Sequence, residues 1–359
     1  MAALPPPSAE AQLAFLAKLQ RLFAEGDFTA TYKFALLIAL ADLAVELGAD
    51  DGQALELSTR RIGQRFIGLY WQQALAYGTG RPGTAAGILV QNLGEQAAVL
   101  RAIAEFRARS RAATQQQAAL DPAYPALLSS VSATVSAQPL QYLQNFGGAT
   151  DAFLYERPGP GRVRLLPGVA YCLRRFHPLV LQLARSHWVS HIKSNRRNHA
   201  ILGDAGDLED FLFSTSRQSL EAIGAGLRKL DGERCFYCGL ALGTAADVDH
   251  YVPFSLYPRD LAHNFVLAHP ACNRSKADSL AGRDHLERWL QRVVQQADAL
   301  SEIGLSAGIA ADAATSHRVA AWSYASAAAS GGHAWLARSL YEAIDQQHVE
   351  LLTAAPVQC

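Results

Sequence analysis

Apolar side chains recur every three or four residues through most of the first 115 positions, the spacing of helices that turn one face to a core. Ser8 stands as an N-cap for a helix over residues 9–24, and Glu25-Gly26-Asp27 ends it. A second helix starts at Thr29 or Thr31 and stops at Gly48. Its stretch 34–47 is apolar for about fourteen residues but carries Asp42 and Glu46, which predicts a buried core helix and not a bilayer span of roughly twenty residues. A third helix is expected over 58–76, with Ile62, Phe66, Leu69 and Gln73 on one stripe, and a fourth over 95–109. Between them the glycines and proline of 77–83 predict a loop.

Residues 112–150, richer in Gln, Ser, Ala and Pro, are expected to form short helices or a connector. The period then changes. Phe153–Glu156 and Arg162–Leu166 flank Pro158-Gly159-Pro160-Gly161, a hairpin pattern. Pro167 opens a helical stretch, and Pro178 restarts it as a helix to Ser194. Residues 206–230 and 283–350 read as helix, with no internal repeat or coiled coil. The fold expected is mainly α: a helical domain at 8–115, a connector, hairpin and basic helical region at 116–230, a small module at 231–282, and C-terminal helices at 283–359.

Composition narrows the function classes. Half of the 359 residues are hydrophobic and 18% are charged, which excludes a disordered chain. The 32 basic and 32 acidic side chains balance, so nucleic-acid binding must come from a local patch. The strongest candidate is 171–202, where Arg174, Arg175, Arg185, Lys193, Arg196 and Arg197 occur without a single Asp or Glu. The N-terminus lacks the basic n-region and long apolar run of a signal peptide. Five cysteines without a disulfide-framework spacing fit a reducing compartment, so a cytoplasmic protein with no membrane association is expected.

Three of those cysteines cluster. Cys235-Phe-Tyr-Cys238 and His269-Pro-Ala-Cys272 are two ligand pairs, each with two intervening residues, thirty residues apart. This spacing lets both side chains of a turn reach one tetrahedral ion, a closed Cys₃His structural zinc site. Such a site contributes about 10–16 kcal/mol of apparent folding energy in small peptides. Inside that frame lie Asp249-His250 and Asn273. Neighbours on a strand point to opposite faces, so one can bind a cation while the other faces a substrate. Asp and Asn offer hard oxygen ligands suited to Mg²⁺ or Mn²⁺. An imidazole beside such an ion can take a proton from water, a step typically worth about 10²–10⁴-fold.

The run Val248-Asp249-His250-Tyr251-Val252-Pro253, with His263-Asn264-Phe265-Val266-Leu267 and Cys272-Asn273-Arg274-Ser275-Lys276, resembles the HNH (ββα-metal) endonucleases in their zinc-stapled subtype. It also looks like the HNH domain of the CRISPR effector nuclease. The resemblance covers about 45 residues and implies that His250 is the general base, that Asp249 and Asn273 ligate catalytic Mg²⁺, and that Asn264 braces the loop orienting His250. By the same resemblance Lys276 reaches a phosphate, with Arg274 beside it. Two departures stand out: His-x-x-Cys replaces the commoner Cys-x-x-Cys, and Asn273 replaces the final His. The expected reaction is hydrolysis of a DNA phosphodiester, with a monomer nicking one strand. The helical domain is expected to supply control or target choice alone or with other subunits, by analogy with restriction and anti-phage defence nucleases. Two alternatives stay open: an HNH-fold DNA-binding or sensing protein that does not cut, and an RNA-cleaving toxin.

Overall fold

The computed structural model describes residues 4–78, 85–202, 207–214 and 217–354. Its backbone divides into two compact units, Met1–Ser214 and Thr215–Cys359. The first unit therefore holds the whole of segment 8–115 and most of 116–230, and the second holds the cysteine cluster together with the C-terminal helices. Among the described residues no helix is long and apolar enough to cross a membrane.

The first unit runs α1 (Ala9–Glu25), α2 (Tyr32–Leu47), β1 (Leu55–Ser58), α3 (Thr59–Trp71), α4 (Ala98–Ser110), α5 (Gln115–Ala119), α6 (Tyr124–Ala137), α7 (Pro139–Tyr142), β2 (Asn145–Phe146), β3 (Ala149–Thr150), β4 (Tyr155–Gly159), β5 (Arg162–Leu165), α8 (Val169–Arg175), α9 (His177–Ser194), α10 (His199–Leu202) and α11 (Leu208–Phe213). The expected loop at 77–83 falls largely outside the described residues, as does residue 206. Helix α2 is the centre of this unit, packed against α3, α8 and α9. It is buried from Phe34 to Glu46, and each fully buried Leu, Ile or Phe stabilises by about 1.5–3 kcal/mol. Its two acids are partnered inside the core: Asp42 Oδ1 meets His177 Nε2 at 2.9 Å, and Glu46 pairs with Arg65. Its C-terminal carbonyls are satisfied by Arg174, whose guanidinium donates to Ala44 and Val45 and pairs with Asp50 at 2.9 Å. Arg174 is thereby removed from the basic surface patch expected from sequence, because it is buried and committed to capping α2.

The hairpin expected at 153–166 forms as β4–β5, with a register irregularity between Glu156 and Gly159. The sequence pattern did not predict its third strand. Leu55 pairs with Leu165 and Ser58 with Arg162, placing β1 on the free edge of β5. Ser58 then N-caps α3, its hydroxyl accepting from Arg61 N at 3.2 Å.

The second unit runs α12 (Arg217–Leu230), β6 (Asp247–His250), β7 (Phe265–Ala268), α13 (Pro270–Lys276), α14 (Arg283–Gln295), α15 (Ala297–Ala307), α16 (Ala313–Ala329), β8 (His333–Ala337), β9 (Leu340–Ala343) and α17 (Gln346–Ala354). Residues 333–343 form an antiparallel hairpin and not the helix expected there. The antiparallel pair β6–β7 followed by α13 makes a small ββα unit. Trp289 of α14 is fully buried, stacks on Tyr251 at 4.8 Å and donates to the His263 carbonyl at 3.1 Å. Arg292, also from α14, forms a two-pronged pair with Asp231 and donates to the Phe265 carbonyl. Helices α12 and α15 meet closely at Gly226, where a Cβ would lie 2.6 Å from Ile303 Cγ2. These contacts hold the ββα unit against a helical frame. Both units are mainly helical, as the hydrophobic periodicity predicts.

Candidate metal centre and adjoining histidine site

Cys235 and Cys238 lie in a tight turn. Gly239 N donates to the Cys235 carbonyl and Cys235 N to the Leu240 carbonyl, both at 2.9 Å, with Gly239 at φ +72°. Phe236 N donates to the Leu267 carbonyl at 2.8 Å, so the turn is fastened to β7. At the far end of β7, His269 caps α13 and Cys272 sits in its first turn. The four ligand atoms of Cys235, Cys238, His269 and Cys272 lie within 4.8 Å of one another, and they form a Cys₃His set able to hold a metal such as zinc. His269 Nε2 faces the Ala241 carbonyl at 3.1 Å, while Nδ1 lies 3.3 Å from Cys238 Sγ. The carbonyl thus takes the ring N–H and leaves Nδ1 as the ligand nitrogen.

The thiols do not share one environment. Burial disfavours the Cys235 thiolate, but backbone N–H groups of Cys238, His269 and Tyr237 outweigh it and bring the thiol down to about 7. Burial and the neighbouring Cys235 and Cys238 charges push Cys272 up to about 12. Three thiolates so close repel one another, and a divalent cation at their centre removes that conflict, which is the donor chemistry zinc takes.

Strand β6 presents the second cluster, and pleat alternation sends Asp247 and Asp249 to the face of α13 and His250 to the other. Asp249 is buried. Its Oδ2 accepts from the Tyr237 hydroxyl at 2.5 Å and lies 3.1 Å from Lys276 Nζ. Burial, with the Asp249 charge added, pushes the Tyr237 phenol well above its ordinary range, so it remains a donor. Asn273, one residue beyond the last cysteine, donates from Nδ2 to Asp247 Oδ2 at 3.0 Å. A carboxylate only accepts, so this bond fixes the amide with its oxygen turned away from Asp247. The structure therefore does not join Asn273 to Asp249 directly; each is tied to a different partner. His250 Nε2 lies 2.5 Å from Asp260 Oδ1, with the ring between Phe254 and Phe265 at 5.1 and 4.6 Å. Asn264 holds the loop after β6, accepting from Val252 N at 2.8 Å and donating to the Val252 carbonyl at 2.9 Å.

Lys276 differs from the phosphate contact expected of it. It is 1% exposed, and its ammonium donates to the His250 carbonyl at 2.9 Å. Burial lowers this ammonium while Asp249 acts against that shift. It braces β6 from beneath and does not reach a ligand on the surface. Arg274 is exposed on α13. In the first unit Arg175, Lys193, Arg196 and Arg197 are exposed, while Arg185 is half-buried with its guanidinium over Phe213 at 4.9 Å.

Three polar partners escaped the sequence pattern: Asp247, Tyr237 and Asp260. Asp247 is two residues before Asp249 and so shares its face of a strand. Asp260 is the one acid in sequence between His250 and His263. Tyr237 lies inside the Cys-x-x-Cys turn and carries no pattern of its own.

The family model described as "Domain of unknown function (DUF8808)" matches residues 12–212, more than half of the chain. The chain belongs to that family. The match falls within the helical first unit and stops short of the cysteine cluster, so membership in the DUF8808 family speaks for the helices and not for the metal centre. No curated protein and no solved structure matches.

Proposed function

We propose that residues 235–276 form the active site of an HNH-type endonuclease that hydrolyses DNA phosphodiester bonds with a divalent ion, the Cys₃His set holding structural zinc. One observation carries the reading. Each of the three side chains has one polar atom tied to the protein and the other without a hydrogen-bond partner among the described residues. In Asp249, Oδ2 is tied and Oδ1 open; in Asn273, Nδ2 is tied and Oδ1 open; in His250, Nε2 is tied and Nδ1 open. None of these three open atoms is fully buried, so each is free to meet an ion or a water.

In this reading His250 Nδ1 takes a proton from water as the water oxygen bonds to phosphorus. The bond from phosphorus to the leaving oxygen breaks, that oxygen gains a proton from solvent, and the imidazolium returns its own to solvent. Mg²⁺ or Mn²⁺ held by Asp249 and Asn273 would supply positive charge to the phosphate and leaving oxygen. Asp260 offsets the charge on the ring, and Asn264 and Lys276 keep β6 and its following loop in place.

The test is incubation of supercoiled plasmid with zinc-loaded full chain and Mg²⁺, Mn²⁺ or no added divalent ion. Nicked circles that depend on the added ion are expected. DNA binding without product under any ion contradicts the reading in favour of a sensing protein, and cleavage of RNA but not DNA contradicts the substrate.

A further inference from the structure

We propose that Asp260 is a positioning residue, whose carboxylate fixes the tautomer and orientation of His250 so that Nδ1 is the basic nitrogen presented to solvent. The catalytic consequence rests on the nuclease reading; the tautomer does not. The carboxylate of Asp260 lies 2.5 Å from Nε2 and can only accept, so Nε2 carries the hydrogen and the lone pair falls on Nδ1.

The placement is built in from several directions. Residues 251–264 form a loop closed at its base, where Tyr251 N donates to the Asn264 carbonyl at 2.7 Å and Asn264 brackets Val252 from both sides. Just beyond Asp260, Leu261 bridges Ala310 and Ala262 N donates to the Ala310 carbonyl at 2.8 Å, so the returning arm of the loop is pinned to the segment after α15. The loop thus carries a carboxylate from ten residues downstream back over the ring. Phe254 and Phe265 both pack against that ring, with centroids at 5.1 and 4.6 Å. Both side chains of the pair keep some exposure, 21% for His250 and 12% for Asp260, so the imidazole is oriented but not sealed from water. An amide in place of the carboxylate offers a donor as well as an acceptor, so it no longer holds the hydrogen on Nε2, and a donated N–H to Nε2 would move that hydrogen to Nδ1 and remove the base.

The experiment combines two readouts on the full, zinc-loaded chain. Ring ¹⁵N–¹H correlations of ¹⁵N-histidine-labelled protein, assigned by loss of the His250→Ala signals, report which nitrogen of His250 carries hydrogen. Steady-state cleavage of a duplex oligonucleotide with Mg²⁺ reports kcat and KM. Wild type should show hydrogen on Nε2. Asp260→Asn should shift it towards Nδ1 and lower kcat by about 100-fold or more, the scale of a lost general base, with KM and zinc content little changed. Asp260→Glu should restore the Nε2–H tautomer and part of kcat. Hydrogen on Nδ1 in wild type overturns the proposal whether or not any variant folds. An unchanged tautomer and kcat in Asp260→Asn overturn it as well. If wild type shows the Nε2–H tautomer, Asp260→Asn loses it, and neither cleaves DNA, the positioning role stands and the nuclease reading falls.

Discussion

Asn264 meets one backbone unit with both ends of its amide, and that pairing is why the loop after β6 returns on itself. Val252 is buried, so Asn264→Ala leaves its N–H and carbonyl without partners. Each orphaned group costs about 1–3 kcal/mol, which places the loss at about 2–6 kcal/mol. Urea unfolding of wild type and Asn264→Ala measures this, and a loss under about 0.5 kcal/mol contradicts the bracing role. At this scale the four residues of the Cys₃His set were legible in the sequence, because each pair has a fixed spacing and the structure brings the two pairs together. Asp260 was not legible, since its meeting with His250 depends on how a loop closes. Lys276 was misplaced for a related reason. A lysine late in a short helix suggests solvent, and only the packing of α13 against β6 turns it inward.

The elements followed periodicity where the pattern was long. Helix α2 could be read from its long apolar run, and the two acids within that run found Arg65 and His177 in the core. Strand β1 escaped because four residues, Leu55-Glu56-Leu57-Ser58, give too brief an alternation to compete with the helix that follows. The hairpin at 333–343 follows an alanine-rich helix end, and its alternation is broken where the register shifts between Trp335 and Ala337. The metal centre joins elements distant in sequence: it fastens the Cys235–Cys238 turn to the start of α13, with β7 between. Removing zinc with a strong chelator should therefore melt the ββα unit, read as lost near-ultraviolet circular dichroism and recovered on adding zinc. Unchanged spectra in the zinc-free protein contradict a folding role for the metal. The pH dependence follows from the ligands. Folding lowers the Cys235 thiol from 9.0 to about 7. The Cys235 contribution is full above about 9 and is lost as pH falls through about 7, whereas the raised Cys272 thiol works against the fold above about 9. Protonation of the ligands adds to this, so zinc release should sharpen on acidification.

The whole molecule is electrically balanced, and of the cations expected to meet nucleic acid, Arg175, Lys193, Arg196 and Arg197 are exposed on the DUF8808 unit and Arg274 on α13. Under the proposed function the helical unit contributes binding or control, and the zinc-stapled ββα unit contributes the chemistry. Nuclease activity then depends most on His250, the one proposed catalytic side chain that is neither a ligand in the Cys₃His set nor a brace of the loop. The most direct measurement is the conversion of supercoiled plasmid to nicked circles over time by zinc-loaded wild type and His250→Ala with Mg²⁺. Wild type should nick, and His250→Ala should lose about 10²–10⁴-fold in rate while retaining its zinc content and melting behaviour. Equal nicking by both proteins, or none by either with DNA binding intact, would contradict a nuclease with His250 as its base.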